Sequence, residues 1–339
     1  MVVKENISLK SLNTFGLDAK ADKLIILNSE QEAVGVAGNG IFRQGNVMII
    51  GGGSNLLFLS DYKGTIVAPE IGGISIEEEK GDFVTVSAGA GEKWDSFVGW
   101  CVERGLGGVE NLSLIPGNTG AAPVQNIGAY GSEVKDTIIK VRAVSTEDGS
   151  VRQFTNPECR FGYRDSIFKG ELRKKYLVSR VFFQLSKKPR FRLAYGFLEA
   201  ETAAIGDISL ANIRKAVITV RSRKLPDPSL KGNAGSFFKN PVVPVQKADE
   251  LKYSYPLMPV YDEPPAGKKI AAGWLIEQCG WKGRNIGNAG VHDRQALVLV
   301  NQGGATGKEI FDLSEMIRNS VFEKFRIDLQ REVEIIGSI

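Results

Sequence analysis

Two stretches of glycine and small polar residues are the first places in this sequence where a ligand could be held. Gly51, Gly52, Gly53, Ser54 and Asn55 follow directly on the apolar run VMII at 47–50. Consecutive glycines let main-chain N–H groups come close to a diphosphate, and Ser54 and Asn55 add side-chain donors. The pattern is not the dinucleotide fingerprint G-x-G-x-x-G, because Leu56 stands where the third glycine belongs. The second stretch, IPGNTGAAPVQNIGAYG at 115–131, offers Pro116, Gly117, Gly120, Gly128, Ala129, Tyr130 and Gly131. One such loop could be a tight strand-ending turn. Two in one chain point to a nucleotide cofactor.

Other candidate chemistry is thinner. GGATGK at 303–308 lacks P-loop spacing, and Glu309 replaces the Ser or Thr that would hold a metal. It reads as a loop followed by a helix start. Ser236 lies in AGSFF, which is not the G-x-S-x-G elbow. A hydrolytic triad there would need His292, the single histidine in the chain, as its base. One histidine also excludes a metal centre with two His ligands, and no metal is expected. Cys101, Cys159 and Cys279 are far apart, with no Cys-x-x-Cys pair. They read as buried thiols in a reducing compartment. Basic clusters at 187–192 and 214–224 could meet phosphate or form solvated faces. No aromatic-interleaved nucleic-acid motif accompanies them.

The elements that must position these loops follow from periodicity. KLIIL at 23–27 and VMII at 47–50 read as short buried strands, with a helix capped by Ser29 between them. DFVTVSA at 82–88 alternates as a half-buried strand. Trp94, Phe97, Val98, Cys101 and Val102 fall on one face of a helix closed by Gly105. Residues 141–145 and 151–154 flank Glu147-Asp148-Gly149, a hairpin signal. LVSRVFFQL at 177–185 is a further strand. Ser209 caps a helix carrying Ile213, Val217 and Val220 inward. KLPDP at 224–228, with two prolines, marks a domain hinge. Beyond it we expect a helix over 268–279, a strand over 296–301, a long helix after Gly307 through Phe325 and a last strand at 333–336.

Strands and helices mix without a regular βαβ rhythm, so the class is α+β. With 339 residues, the chain is too long for one ordinary core. Its 42% apolar and 24% charged residues exclude a disordered chain and a disulfide scaffold. The net charge of +4 suits anionic small molecules as well as nucleic acid. No apolar run reaches the roughly 20 residues of a membrane helix, and the first residues show no signal-peptide core. The expectation is a soluble cytoplasmic protein. Read from its residues alone, it is an enzyme using a nucleotide cofactor, with the reaction left open.

The motifs, taken in order, resemble the UDP-N-acetylenolpyruvoylglucosamine reductase family. The matching pieces are NTFG at 13–16, IGGGSNL at 50–56, the 115–131 stretch and YRDS at 163–166. They continue with KLPDP at 224–228, GNAGSFFKNP at 232–241, AAGWLIEQC at 271–279, HDRQALVLVN at 292–301 and Glu332-Val333. The ordered set spans nearly the whole chain. The length and the Tyr195-Gly196 segment are similar to the longer, type I branch.

The resemblance implies an FAD-binding fold of the vanillyl-alcohol-oxidase type. Residues 1–74 and 75–220 would form two α+β subdomains around the flavin, and 221–326 an α+β substrate-binding domain. Residues 327–339 would return to the first subdomain. It also implies non-covalent FAD, NADPH as reductant, and reduction of the enolpyruvyl double bond of UDP-N-acetylglucosamine-enolpyruvate to give UDP-N-acetylmuramate. Another flavin-dependent oxidase or dehydrogenase on the same fold is the alternative.

By the same resemblance Ser236 gives the proton, while Arg164 and Glu332 hold the developing enolate. The two glycine-rich stretches and Arg221 would hold the flavin. Tyr163, Tyr195, Lys224, Asn240 and Gln295 would hold the UDP-sugar, with Tyr195 and Lys224 facing its diphosphate. Gln330 departs from the family, which often has an acidic residue there. No nucleic acid or membrane partner is implied, and a monomer is expected.

Overall fold

The computed structural model describes residues 1–337 except Gly196, Pro264 and Ala266. The Gly196 part of the type I signature therefore lies outside the described residues. The chain divides into two compact units. The first comprises Met1–Ile7, Ala21–Gly53 and Lys63–Ser222. The second comprises Ser8–Lys20, Ser54–Tyr62 and Arg223–Ile339.

In the first unit, a small sheet runs in the order Val2–Ser8, Lys20–Leu27, Tyr62–Pro69, Val47–Ile49. Val47–Ile49 pairs in parallel with Tyr62–Pro69, Met48 opposite Ile66. The helix α1 (Glu30–Gly38) begins at Ser29, whose Oγ accepts from the Glu32 N–H at 3.2 Å. This side-chain acceptor satisfies one of the orphan donors at the helix start. Ala33, Val36 and Ala37 of α1 are buried with Ile25, Leu27 and Val67 of the sheet.

A five-stranded antiparallel sheet follows, in the order Val151–Thr155, Ile138–Ser145, Tyr176–Ser186, Phe83–Gly89, Ile74–Lys80. Period-two alternation puts Val84, Val86 and Ala88 on one face with Val181, Phe183 and Leu185. The helix α2 (Trp94–Glu103) lays Trp94, Phe97, Val98 and Cys101 onto that face. The Phe97 and Phe183 rings sit 4.6 Å apart. Burial pushes the Cys101 thiol up, and Cys159 up to about 12, so both behave as packing groups. Two further helices, α3 (Leu198–Ile205) and α4 (Leu210–Lys224), follow. Ile213 and Val217 of α4 are buried as the sequence requires.

The second unit has its own core around Phe15, Phe237, Phe238, Leu275, Ile276, Ile317 and Phe325. One sheet runs Asn233–Ser236, Val298–Asn301, Ala289–Val291, Asn285–Ile286. Another runs Val242–Val243, Gly267–Ile270, Val260–Glu263. Three helices complete it, α5 (Val245–Ser254), α6 (Ala272–Gln278) and α7 (Gly307–Phe325). Glu334–Ile336 pairs in parallel with Leu56–Phe58.

The expected helix over 268–279 is corrected here. Residues Gly267–Ile270 form a strand, and α6 starts only at Ala272. Val242–Val243 and Val260–Glu263 flank this segment and hydrogen-bond it on both sides, so sheet pairing overrides the helix propensity of two lysines. The last strand of the 296–301 run likewise starts at Val298. GGATGK is indeed a helix start. Thr306 and Glu309 cap α7 reciprocally, with the Glu309 carboxylate accepting from the Thr306 N–H at 2.8 Å.

Candidate active site

The two glycine-rich stretches meet in the first unit. A Cβ on Gly52 would lie 2.7 Å from the Gly117 Cα and 3.1 Å from Asn118 Oδ1. One on Gly51 would lie 3.1 Å from the Ala121 Cβ. At Gly52, which faces backbone, only glycine permits this approach. The second stretch is braced from behind by the α2 entry. Thr119 N–H donates to the Glu92 carbonyl at 2.8 Å, and Trp94 N–H to the Gly117 carbonyl at 3.0 Å.

Strained backbone gathers around this cradle. Leu114, Asn126, Tyr130 and Arg164 all have positive φ, between 47° and 59°. Such conformations in non-glycine residues need support from their surroundings. Arg164 supplies some of it, with one guanidinium nitrogen donating to the Gly128 carbonyl at 2.7 Å. Asp95 supplies more. It accepts from the Leu114 N–H at 2.5 Å and takes a bidentate contact from Arg214 of α4, at 2.6 and 2.9 Å. Burial raises the Asp95 pKa, but Arg214 and the Leu114 N–H outweigh it and hold the carboxyl below its ordinary value.

Two turns beyond Arg214 along α4 comes Arg221. Burial pulls its guanidinium below its ordinary pKa, opposed by Tyr130 and Asp95. Its Nε is sealed from solvent and has no hydrogen-bond partner among the described residues. An arginine stays charged at neutral pH, so this is a half-buried cation with an unused, sealed donor. A glycine cradle that brings two loops together, with such a donor in the same unit, fits a dinucleotide whose diphosphate carries negative charge.

Tyr130 and Tyr195 of the same unit meet edge to face, with centroids 6.1 Å apart. Arg164 lies over the Tyr163 ring at 5.8 Å. The first unit thus brings Tyr163, Arg164, Tyr195, Arg221 and the 116–131 stretch together around one cradle.

The second unit holds the remaining candidates. Ser236 ends the strand Asn233–Ser236 opposite Val298, exposed beside buried Phe237 and Phe238. The Phe237 carbonyl accepts from the Glu332 N–H at 2.8 Å, and the Gln330 carbonyl accepts from the Lys239 N–H at 2.9 Å. Ser236 and Glu332 are therefore held on neighbouring backbone segments. Asn55 joins them, its Nδ2 donating to the Glu332 carbonyl at 3.1 Å. Asn240 accepts from the Ala272 N–H at 2.9 Å at the start of α6, and a Cβ on Gly273 would lie 2.9 Å from Gln295 Oε1. Asn240 and Gln295 thus share the entry of α6. Lys224, exposed, closes α4.

His292 is buried. Its Nδ1 accepts from the Arg294 N–H at 3.3 Å, and burial lowers its pKa. That environment keeps the ring neutral at neutral pH and fits a turn-holding role. The sequence reading missed Asp95 and Asn111, whose only signal was polarity inside otherwise apolar runs. Arg214 opens the basic cluster at 214–224, but its guanidinium is bound to Asp95.

The chain matches two family models. Residues 227–336 match the UDP-N-acetylenolpyruvoylglucosamine reductase C-terminal domain, and residues 28–155 match an FAD binding domain. It is 47% identical to a UDP-N-acetylenolpyruvoylglucosamine reductase of Bacteroides fragilis, over 98% of this chain and all of that one. The identity to the enzyme so named from Pseudomonas aeruginosa is 44%, covering 97% of this chain and 98% of the relative. The fold is similar to the crystal structure of UDP-N-acetylenolpyruvylglucosamine reductase from Thermus caldophilus. The TM-score is 0.69 at 24% identity, over 99% of this chain and all of that one.

Proposed function

Because the chain belongs to the UDP-N-acetylenolpyruvoylglucosamine reductase family, we propose that the residues gathered above divide its reaction among them as follows. The protein is an FAD-dependent oxidoreductase of peptidoglycan precursor synthesis. It reduces the enolpyruvyl double bond of UDP-N-acetylglucosamine-enolpyruvate, with NADPH as reductant. Bound FAD supplies the hydride.

Gly51, Gly52, Gly53, Ser54 and Asn55, with Pro116, Gly117, Gly120, Gly128, Ala129, Tyr130 and Gly131, hold the flavin. Arg221 offers its unused donor to the negative charge of the cofactor. When hydride reaches one alkene carbon, negative charge develops on the other carbon and its carboxylate. Arg164, permanently charged and planar, holds that charge, and Glu332 assists as a hydrogen-bond donor through a carboxyl that carries its proton. The Ser236 hydroxyl gives the proton that completes the reduction. A serine hydroxyl is a weak acid, but the carbanion-like centre is a strong base, so transfer runs downhill. Tyr163, Tyr195, Lys224, Asn240 and Gln295 seat the UDP-sugar. Residues 221–326 then act as the substrate-binding part, with 1–74 and 75–220 as the flavin-binding parts.

The observation that carries this reading is the pairing of Phe237 with Glu332. It fixes the proposed proton donor and the proposed carboxylate in one backbone frame. The test separates the half-reactions. NADPH should bleach the visible flavin bands without the second substrate, and the enolpyruvyl compound should restore them. A protein that bleaches but is reoxidised only by dioxygen would favour an oxidase and sink this reading.

We further propose a monomer in the cytoplasm with no nucleic-acid or membrane partner. Among the described residues no helix is long and apolar enough to cross a membrane. Sedimentation of the purified protein tests the monomer.

A further inference from the structure

Asn111 lies just ahead of the second glycine-rich stretch and is 2% exposed. Its side-chain amide donates twice. One N–H goes to the Tyr130 carbonyl at 3.0 Å, and the other to the Arg192 carbonyl at 2.8 Å. Tyr130 belongs to the flavin stretch and has φ +50°. Arg192 lies three residues before Tyr195 and returns the contact. Its guanidinium donates to the Gly131 carbonyl at 3.2 Å and to Asp136 at 2.5 Å. The Tyr130 and Tyr195 rings meet above this clasp. A Cβ on Gly131 would lie 3.6 Å from the Tyr195 Cβ, so the two backbones run close together.

We propose that Asn111 is a positioning residue that ties the segment carrying Tyr195 to the flavin stretch, so that Tyr195 is held ready for the substrate. This rests on the reading of Tyr195 as a UDP-sugar ligand. The amide nitrogen carries two N–H donors, so this one side chain serves both carbonyls. A residue without donors takes this shared partner from both carbonyls, and the Tyr195 segment loses its tie to the flavin stretch.

The experiment compares holoenzymes of Asn111→Leu, Arg192→Met and Tyr195→Ala with wild type. Measured are the KM for the enolpyruvyl substrate, the rate of flavin reduction by NADPH in single turnover, and the melting temperature. For Asn111→Leu we expect KM to rise about tenfold, with flavin reduction within about twofold of wild type. A loss of melting temperature with unchanged KM would make Asn111 a folding residue only and overturn the proposal. Arg192 is at the surface, so Arg192→Met carries the test if Asn111→Leu does not fold. It should raise KM about threefold, and an unchanged KM overturns the clasp. If Tyr195→Ala leaves KM unchanged, the reading of Tyr195 falls and the proposal with it. If Tyr195→Ala raises KM and the other two variants do not, the proposal alone falls.

Discussion

The side-chain amide of Asn55 donates to the main-chain carbonyl of Glu332 at 3.1 Å, although the two residues are 277 positions apart. The Glu334 N–H donates to the Asn55 carbonyl at 3.0 Å, which makes the contact two-sided. The last residue of the first glycine-rich stretch and the proposed catalytic carboxylate therefore share one small parallel pairing.

Ser236→Ala removes the proposed proton source while leaving the strand and its pairing intact. Flavin reduction by NADPH should stay near the wild-type rate. Reduction of the enolpyruvyl substrate should slow by about 100- to 10,000-fold. Stopped-flow measurement of the two half-reactions checks this, and equal retention of both would remove Ser236 from the mechanism.

Arg221→Met keeps length and packing but deletes the charge and the sealed Nε donor. Loss of a charge-assisted contact should weaken FAD binding by about 10- to 100-fold. Equilibrium dialysis of the stripped protein against FAD gives the ratio directly. An unchanged affinity would mean that the Arg221 donor serves something other than the flavin.

Gly52→Ala places a methyl group 2.7 Å from the Gly117 backbone. Backbone cannot rotate away as a side chain does, so the two loops must separate. A stability loss of about 1–3 kcal/mol is expected, with a lower fraction of protein purified in the flavin-bound form. Thermal melts and the ratio of visible to ultraviolet absorbance report both. A melt matching wild type would show that the loops already have room.

Glu30 predicts an acid dependence. Arg142 grips its carboxylate at 2.6 and 2.7 Å and holds its pKa below the ordinary 4.5, with help from the Ser179 hydroxyl. A lowered folded-state pKa adds stability that is complete above the unfolded pKa and is lost as pH falls through the folded one. Melting temperature should therefore drop below about pH 4.5 in wild type, and the drop should be shallower in Glu30→Gln. Parallel pH profiles of the two proteins decide it.

Much of the fold was legible because its signals are local. Ser29 at the head of α1, the Trp94–Cys101 face and the Gly149 hairpin all follow from a few neighbouring residues. The 267–270 strand was not legible, because its conformation is set by Val242–Val243 and Val260–Glu263 rather than by its own lysines. The site shows the same division. The glycine stretches announce close backbone approach, yet nothing in them says that Gly52 faces Gly117. Ser236, Arg164 and Glu332 were legible only through ordered motifs spread over the whole chain. Asp95 and Asn111 act through main-chain groups of distant loops, and that role leaves no spacing to read.

The pairing of Leu56–Phe58 with Glu334–Ile336 also bears on how the chain folds. The second unit adds Ser8–Lys20 and Ser54–Tyr62 to the residues after Ser222, so its distant contacts close long loops, such as that between Phe15 and Asn301, 286 positions apart. Such contacts form late and slowly. On the ribosome this unit cannot finish before the residues around 336 emerge, whereas the first unit needs nothing beyond Ser222. A fragment starting at 223 would also lack Phe15 and Leu57, which are fully buried in that core. A fragment that begins at the KLPDP segment therefore starts without part of its own core.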